Sequence, residues 1–221
     1  MRTRPLLAAS LLAFAAPAMA ANQIVVRSSG PSAKVYPVGK QLAAGAKVSL
    51  RAGDSLTLLG AAKALVLQGP GSFQIAAGGD SDAFSRSRFS ARRGPPLPRG
   101  PWAIDVEQSG QVCAAAKQPI SLWRSAADSD STVTITGAKV KPVTVNWPAG
   151  DETLSWPSAL PLDEGLTYRI TIAGQSAPTE WKIASLSALA MDRAATADAL
   201  LKRGCQAQLD LLVERALWDS P

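Results

Sequence analysis

The chain has 221 residues, 47% hydrophobic and 18% charged, with a formal charge of +6 and no histidine. That length holds one sizeable domain or two small ones with their own cores. The missing histidine removes Ser-His-Asp and Cys-His catalysis, imidazole acid–base chemistry and most zinc sites.

The first element is a targeting segment. Arg2 and Arg4 precede the apolar run Leu6 to Ala16, Pro17 ends it, and Ala18-Met19-Ala20 presents small residues for a signal peptidase. This order predicts a secretory signal cleaved after Ala20. The run is shorter than the about 20 apolar residues that cross a bilayer. No cysteine follows the cut, so the expected product is periplasmic, without a lipid anchor or membrane insertion. Losing Arg2 and Arg4 would leave a charge of +4.

From Gln23 to Ile75 short strands alternate with turn residues. Strands are predicted at Ile24–Val26, Val48–Leu50, Leu56–Leu59 and Leu65–Leu67, separated by turns such as Ser28-Ser29-Gly30-Pro31-Ser32 and Ala52-Gly53-Asp54. Within this stretch Val38-Gly39-Lys40-Gln41-Leu42, Ala52-Gly53-Asp54-Ser55-Leu56-Thr57-Leu58-Leu59 and Leu67-Gln68-Gly69-Pro70-Gly71-Ser72-Phe73 follow one another. The succession resembles the FecR-like periplasmic domain, an all-β module with the pattern G-x-x-L, then G-D-x-L/I-x-T, then L-x-G-x-G-S. Leu58 departs from it, standing where the pattern places Thr. The resemblance implies a non-catalytic β-module working in the periplasm. Signal-transducing members of that family reach a sigma factor through a cytoplasmic tail. Here only Met1 to Pro5 precede the apolar run, so sigma-factor control by this chain alone is not expected.

Residues 77–101 read as a linker. Arg86, Arg88, Arg92, Arg93 and Arg99 lie there among Gly, Ser and Pro, and Gly94-Pro95-Pro96-Leu97-Pro98 favours an extended conformation. Nucleic-acid binding calls for basic residues on a folded face with interleaved aromatics, and export argues against it as well. The stretch is expected to be a solvated linker, the alternative being a patch that touches anionic lipid or cell-wall polymer.

Strands resume at Trp102–Val106, Gln111–Ala115, Ile120–Arg124, Thr132–Thr136, Val143–Trp147, Thr153–Trp156, Tyr168–Ile172 and Thr179–Ile183. Strict alternation is clearest in Thr132–Thr136 and Tyr168–Ile172. Short strands at this spacing predict an immunoglobulin- or fibronectin-like sandwich. The period then changes. Ala194, Ala197, Leu200 and Leu201 mark one helix, and Leu209, Leu212, Val213, Ala216 and Leu217 a second, with Gly204 between them. The expected class is mainly β: a signal peptide (1–20), a FecR-like β-module (21–76), an Arg/Pro-rich linker (77–101), a β-sandwich (102–184) and C-terminal helices (185–221).

Candidate chemistry is sparse. Cys113 and Cys205 are the only cysteines, an even pair that export would oxidise to a disulfide. Asp80 with Asp82, Asp128 with Asp130 and Asp151 with Glu152 all stand among turn formers, where Asp serves local backbone hydrogen bonds. No S-x-x-K or phosphate-loop motif occurs, and no cofactor or metal is expected. Trp147-Pro148 and Trp156-Pro157 sit beside turns; the two rings either cap the end of the sandwich or mark a ligand edge. The expected function is a non-enzymatic periplasmic binding or interaction module engaging an envelope sensor or another envelope protein. The alternative is a glycan or cell-wall binder using the Trp-Pro loops.

Overall fold

The computed structural model describes residues 22–76, 99–187 and 192–219; the expected signal segment and the linker up to residue 98, with Asp80, Asp82 and four of its arginines, lie outside them. The N-terminal unit contains β1 (Gln23–Ser29), β2 (Gln41–Leu42), β3 (Lys47–Leu50), β4 (Ser55–Leu59), β5 (Ala64–Gln68) and β6 (Gly71–Gln74). An antiparallel sheet in the order β2-β1-β4-β5 faces the two-stranded β3–β6 ladder. Successive side chains of a strand point to opposite faces, and in β1 both faces are buried. Val25 joins Val48, Leu50, Leu56, Leu58 and Leu67 on one side, while Ile24 and Val26 join Leu59 and Ala64 on the other.

The motif residues that carry the family resemblance are occupied with turns. Gly53 has φ +83°, a left-handed conformation in which glycine has no Cβ penalty. Asp54 is buried and its carboxylate accepts hydrogen bonds from the backbone N–H of Ser32 and of Arg51. One aspartate thereby fastens its own turn to the turn at residues 30–32. Burial pushes the Asp54 carboxyl up, but the Ser32 and Arg51 hydrogen bonds and the Arg51 charge outweigh it. The net result lies below the ordinary value of 3.8. A carboxyl held low contributes stability above its unfolded pKa and loses it as pH falls through the folded value. Wild type should therefore exceed Asp54→Asn in urea stability at neutral pH, and the gap should narrow below about pH 4. A gap independent of pH would contradict the role of the charge.

The second unit contains β7 (Ala103–Asp105), β8 (Gly110–Ala115), β9 (Ser121–Trp123), β10 (Ser131–Gly137), β11 (Val140–Trp147), β12 (Thr153–Ser155), β13 (Thr167–Ile172) and β14 (Thr179–Leu186). A five-stranded sheet, β11-β10-β13-β14-β8, packs on a three-stranded sheet, β12-β9-β7. Their inner faces share Val133, Ile135, Trp147, Tyr168, Ile170 and Trp181 with Leu122 and Ile104. The protein is thus mainly β, with a sandwich in its second half. In β13 the burial alternates strictly, with Tyr168, Ile170 and Ile172 inward. β8 runs parallel to β14, from Gly110 opposite Trp181 to Ala115 opposite Leu186.

Two helices follow, α1 (Arg193–Arg203) and α2 (Gln206–Trp218). Asp192 caps α1 by accepting from Ala195 N–H at 2.7 Å. Gly204, at φ +71°, ends it in the left-handed conformation common at helix C-termini. The sequence places this pair behind the sandwich; in the structure it lies against both β-units. Its buried Ala197, Leu200, Leu209, Val213 and Ala216 meet Ile24, Val26 and Leu59 of the first unit. They also meet Cys113, Ala115, Ala184 and Leu186 of the second. Burying one such Leu or Val contributes about 1.5–3 kcal/mol. Arg27 of β1 adds an exposed ion pair to Asp210 of α2 at 3.1 Å.

Candidate functional site

The joint between β8 and α2 is built from three side chains. Cys113 and Cys205 form a disulfide with Cα atoms 5.8 Å apart, joining residues 92 positions apart in sequence. Beside it, the buried Gln208 carboxamide accepts from Cys113 N–H at 2.6 Å and donates to Cys113 C=O at 3.0 Å. β8 is the outer strand of the five-stranded sheet, so Gln208 occupies backbone groups that another strand would use. Nothing in the local sequence signals this role, because a glutamine on a helix reads as a solvent-facing residue.

The opposite edge is different. β11 pairs with β10 from Ser131 opposite Trp147 to Gly137 opposite Val140, and no other described strand pairs with it. Lys141, Pro142, Thr144 and Asn146 are exposed along it. Pro142 offers no N–H and Lys141 is charged, two features by which natural edges limit indiscriminate pairing. Beyond Pro142, no described strand pairs with the outer side of Val143 to Asn146. At the hairpin end of this strand lies a cavity of about 250 Å³ lined by Lys139, Val140, Glu164, Leu166, Thr167 and Tyr168 among others. Tyr168 donates to Pro161 C=O at 2.6 Å. Burial, and then the nearby Asp163 charge, push its phenol pKa up from 10.0, so the hydroxyl stays a neutral donor. An open strand edge is a feature that accepts an extended peptide through its backbone groups; the cavity touches β11 only at Val140.

The tryptophans pack on the sandwich, one of the two readings their sequence leaves open. Trp147 is 0% exposed, so no ring is presented to a ligand there. The physical reason is its place as the last inward residue of β11, beneath the guanidinium of Arg124, which lies 4.7 Å from the ring centroid. Arg124 is itself buried and donates to the carbonyls of Asp151, Ser129 and Pro148, tying two loops together over the indole. Trp156 is half-buried. It packs edge-on against Tyr168 at 5.1 Å, stacks on Trp181 at 6.4 Å and donates from Nε1 to Leu160 C=O.

Among the described residues, no group of three or more His, Cys, Asp or Glu side chains is placed to hold a metal ion. Asp130 accepts from Ala149 N–H at 2.8 Å, the loop-fastening use expected of a turn aspartate. No helix among the described residues is long and apolar enough to cross a membrane. No family model matches the chain, and neither does any curated protein sequence.

Proposed function

We propose that the chain is a non-catalytic, exported interaction module of the cell envelope that binds a protein partner by strand addition to β11. The observation that carries this reading is the contrast between the two edges of the five-stranded sheet. Gln208 occupies the β8 edge, while no described strand pairs with the β11 edge, which has a cavity at its hairpin end. In this reading the N-terminal unit is a FecR-like module, the chain is cleaved after Ala20 in the periplasm, and the partner is an envelope sensor or another envelope protein. The arginine and apolar run ahead of Ala20 and the oxidised cysteine pair support export.

Cross-linking in the intact periplasm, followed by mapping of the linked peptides, tests it. Links to one protein partner concentrated on residues 139–146 are expected, on a chain whose intact mass begins at Ala21. Links only to cell-wall fragments, or to a partner through other faces alone, would overturn the strand-addition reading. A mass that still includes residues 1–20 would overturn the cleavage.

A further inference from the structure

Charge is distributed unevenly along this chain. Residues 22–76 carry Arg27, Lys34, Lys40, Lys47, Arg51 and Lys63 against a single acidic residue, Asp54. That carboxylate is buried and engaged with Ser32 and Arg51. From residue 102 onward the balance reverses, with fourteen acidic residues to ten basic. Of the cations in the first unit, Arg27 is paired with Asp210. Lys34, Lys40 and Lys47 are exposed, and no described carboxylate forms an ion pair with them.

The loop between β1 and β2 concentrates this charge beside apolar surface. Tyr36 anchors it: the ring is buried and its hydroxyl accepts from Ser49 N–H at 3.0 Å. Asp54 holds Ser32 at 2.8 Å, and the Lys40 ammonium donates to Val35 C=O at 2.8 Å. The loop is therefore fixed, yet it turns Val35 and Val38 outward, 57% and 48% exposed. Among the described residues no other large hydrophobic side chain is as exposed. Pro37 between them is exposed as well. A single exposed valine needs no explanation. Two on a pinned loop, flanked by exposed lysines that form no ion pair with a described carboxylate, make a small amphipathic tip.

We propose that this tip docks on the surface of an anionic phospholipid bilayer, with Val35 and Val38 entering the boundary between headgroups and acyl chains. Lys34 and Lys40 then meet the phosphates. Peripheral binding of this kind adds apolar burial to electrostatic attraction and needs no spanning segment. A soluble polyanion would satisfy the lysines and leave the valines in water, so the pairing of the two favours the membrane. The same surface repels the segment from residue 102 onward, where acidic residues outnumber basic ones. The inference stands independently of strand addition at β11, which involves a different unit and a different test.

Vesicle sedimentation tests it, using the chain from Ala21 onward so that the apolar run of residues 6–16 cannot itself bind lipid. The chain should bind vesicles containing phosphatidylglycerol, should not bind pure phosphatidylcholine, and should be released by high salt. Lys34→Gln should weaken binding about fivefold. The double variant Val35→Ser with Val38→Ser should weaken it about tenfold at an unchanged melting temperature. Three results would overturn the proposal: no binding to anionic vesicles, full binding by the valine double variant, or soluble polyphosphate bound as tightly as the vesicles.

Discussion

Reducing the Cys113–Cys205 bridge should lower stability by about 2–5 kcal/mol and open the chain to proteolysis around residues 187–205. The bridge spans 92 positions, a loop whose closure in the unfolded chain corresponds to about 4–5 kcal/mol in the chain-entropy model. Its location enlarges the consequence. Cys113 and Cys205 both lie in the core shared by the two sheets and the helices. A loosened α2 therefore uncovers Leu209 and Val213 on one side and Ile24 and Val26 on the other. Gln208 would then hold the β8 edge with a single side chain. Urea unfolding of the double variant Cys113→Ser with Cys205→Ser, beside wild type with and without reductant, measures the effect. An unchanged midpoint would mean that packing alone secures the joint.

Gly69→Ala should be among the most damaging single substitutions available, costing about 3–5 kcal/mol. A Cβ built on Gly69 would lie 1.9 Å from the Arg51 carbonyl oxygen and 3.1 Å from Leu50 Cβ. The first obstacle is backbone, which cannot swing aside as a side chain does. The turn after β5 must separate from the turn after β3, breaking the hydrogen bond from Gly69 N–H to Asp54 C=O. The neighbouring Asp54 clamp would loosen with it. Gly110→Ala is the matched control: a Cβ there meets nothing within 4 Å, so a change within about 0.5 kcal/mol is expected. Thermal melts of the two variants separate steric need for glycine from any general effect of adding a methyl group.

Elements were legible in the sequence where side-chain period and burial coincide. Thr132–Thr136 and Tyr168–Ile172 alternate because one face of each strand meets a core, and both lie inside observed strands. The helices followed from their apolar spacing and from Gly204. β2 and β6 were missed for definite reasons. Two residues carry no period, and Gly71-Ser72-Phe73-Gln74 follows Gly69-Pro70 so closely that it reads as one turn. Pro148 by itself leaves the place of Trp147 open. A residue before proline is held in extended backbone, which suits the end of a strand as well as a loop. Val143, Val145 and Trp147 recur at every second position, and that signal already placed the indole inward. The roles of Gln208 and the β11 edge depend on strand order, which pairs residues too distant for any local pattern to reveal.

The position of the helical layer bears on how the chain is made. Domains commonly fold in turn as they leave the ribosome, at about 5–20 residues per second. Here Ile24 and Val26 are covered by Leu200, Leu209 and Val213, which emerge long after them. The N-terminal unit must wait until α1 and α2 have emerged, whether from the ribosome or from a translocation channel, for its second face to be covered. A premature stop codon just before α1 would spare every strand of that unit and still leave Ile24, Val26 and Leu59 uncovered.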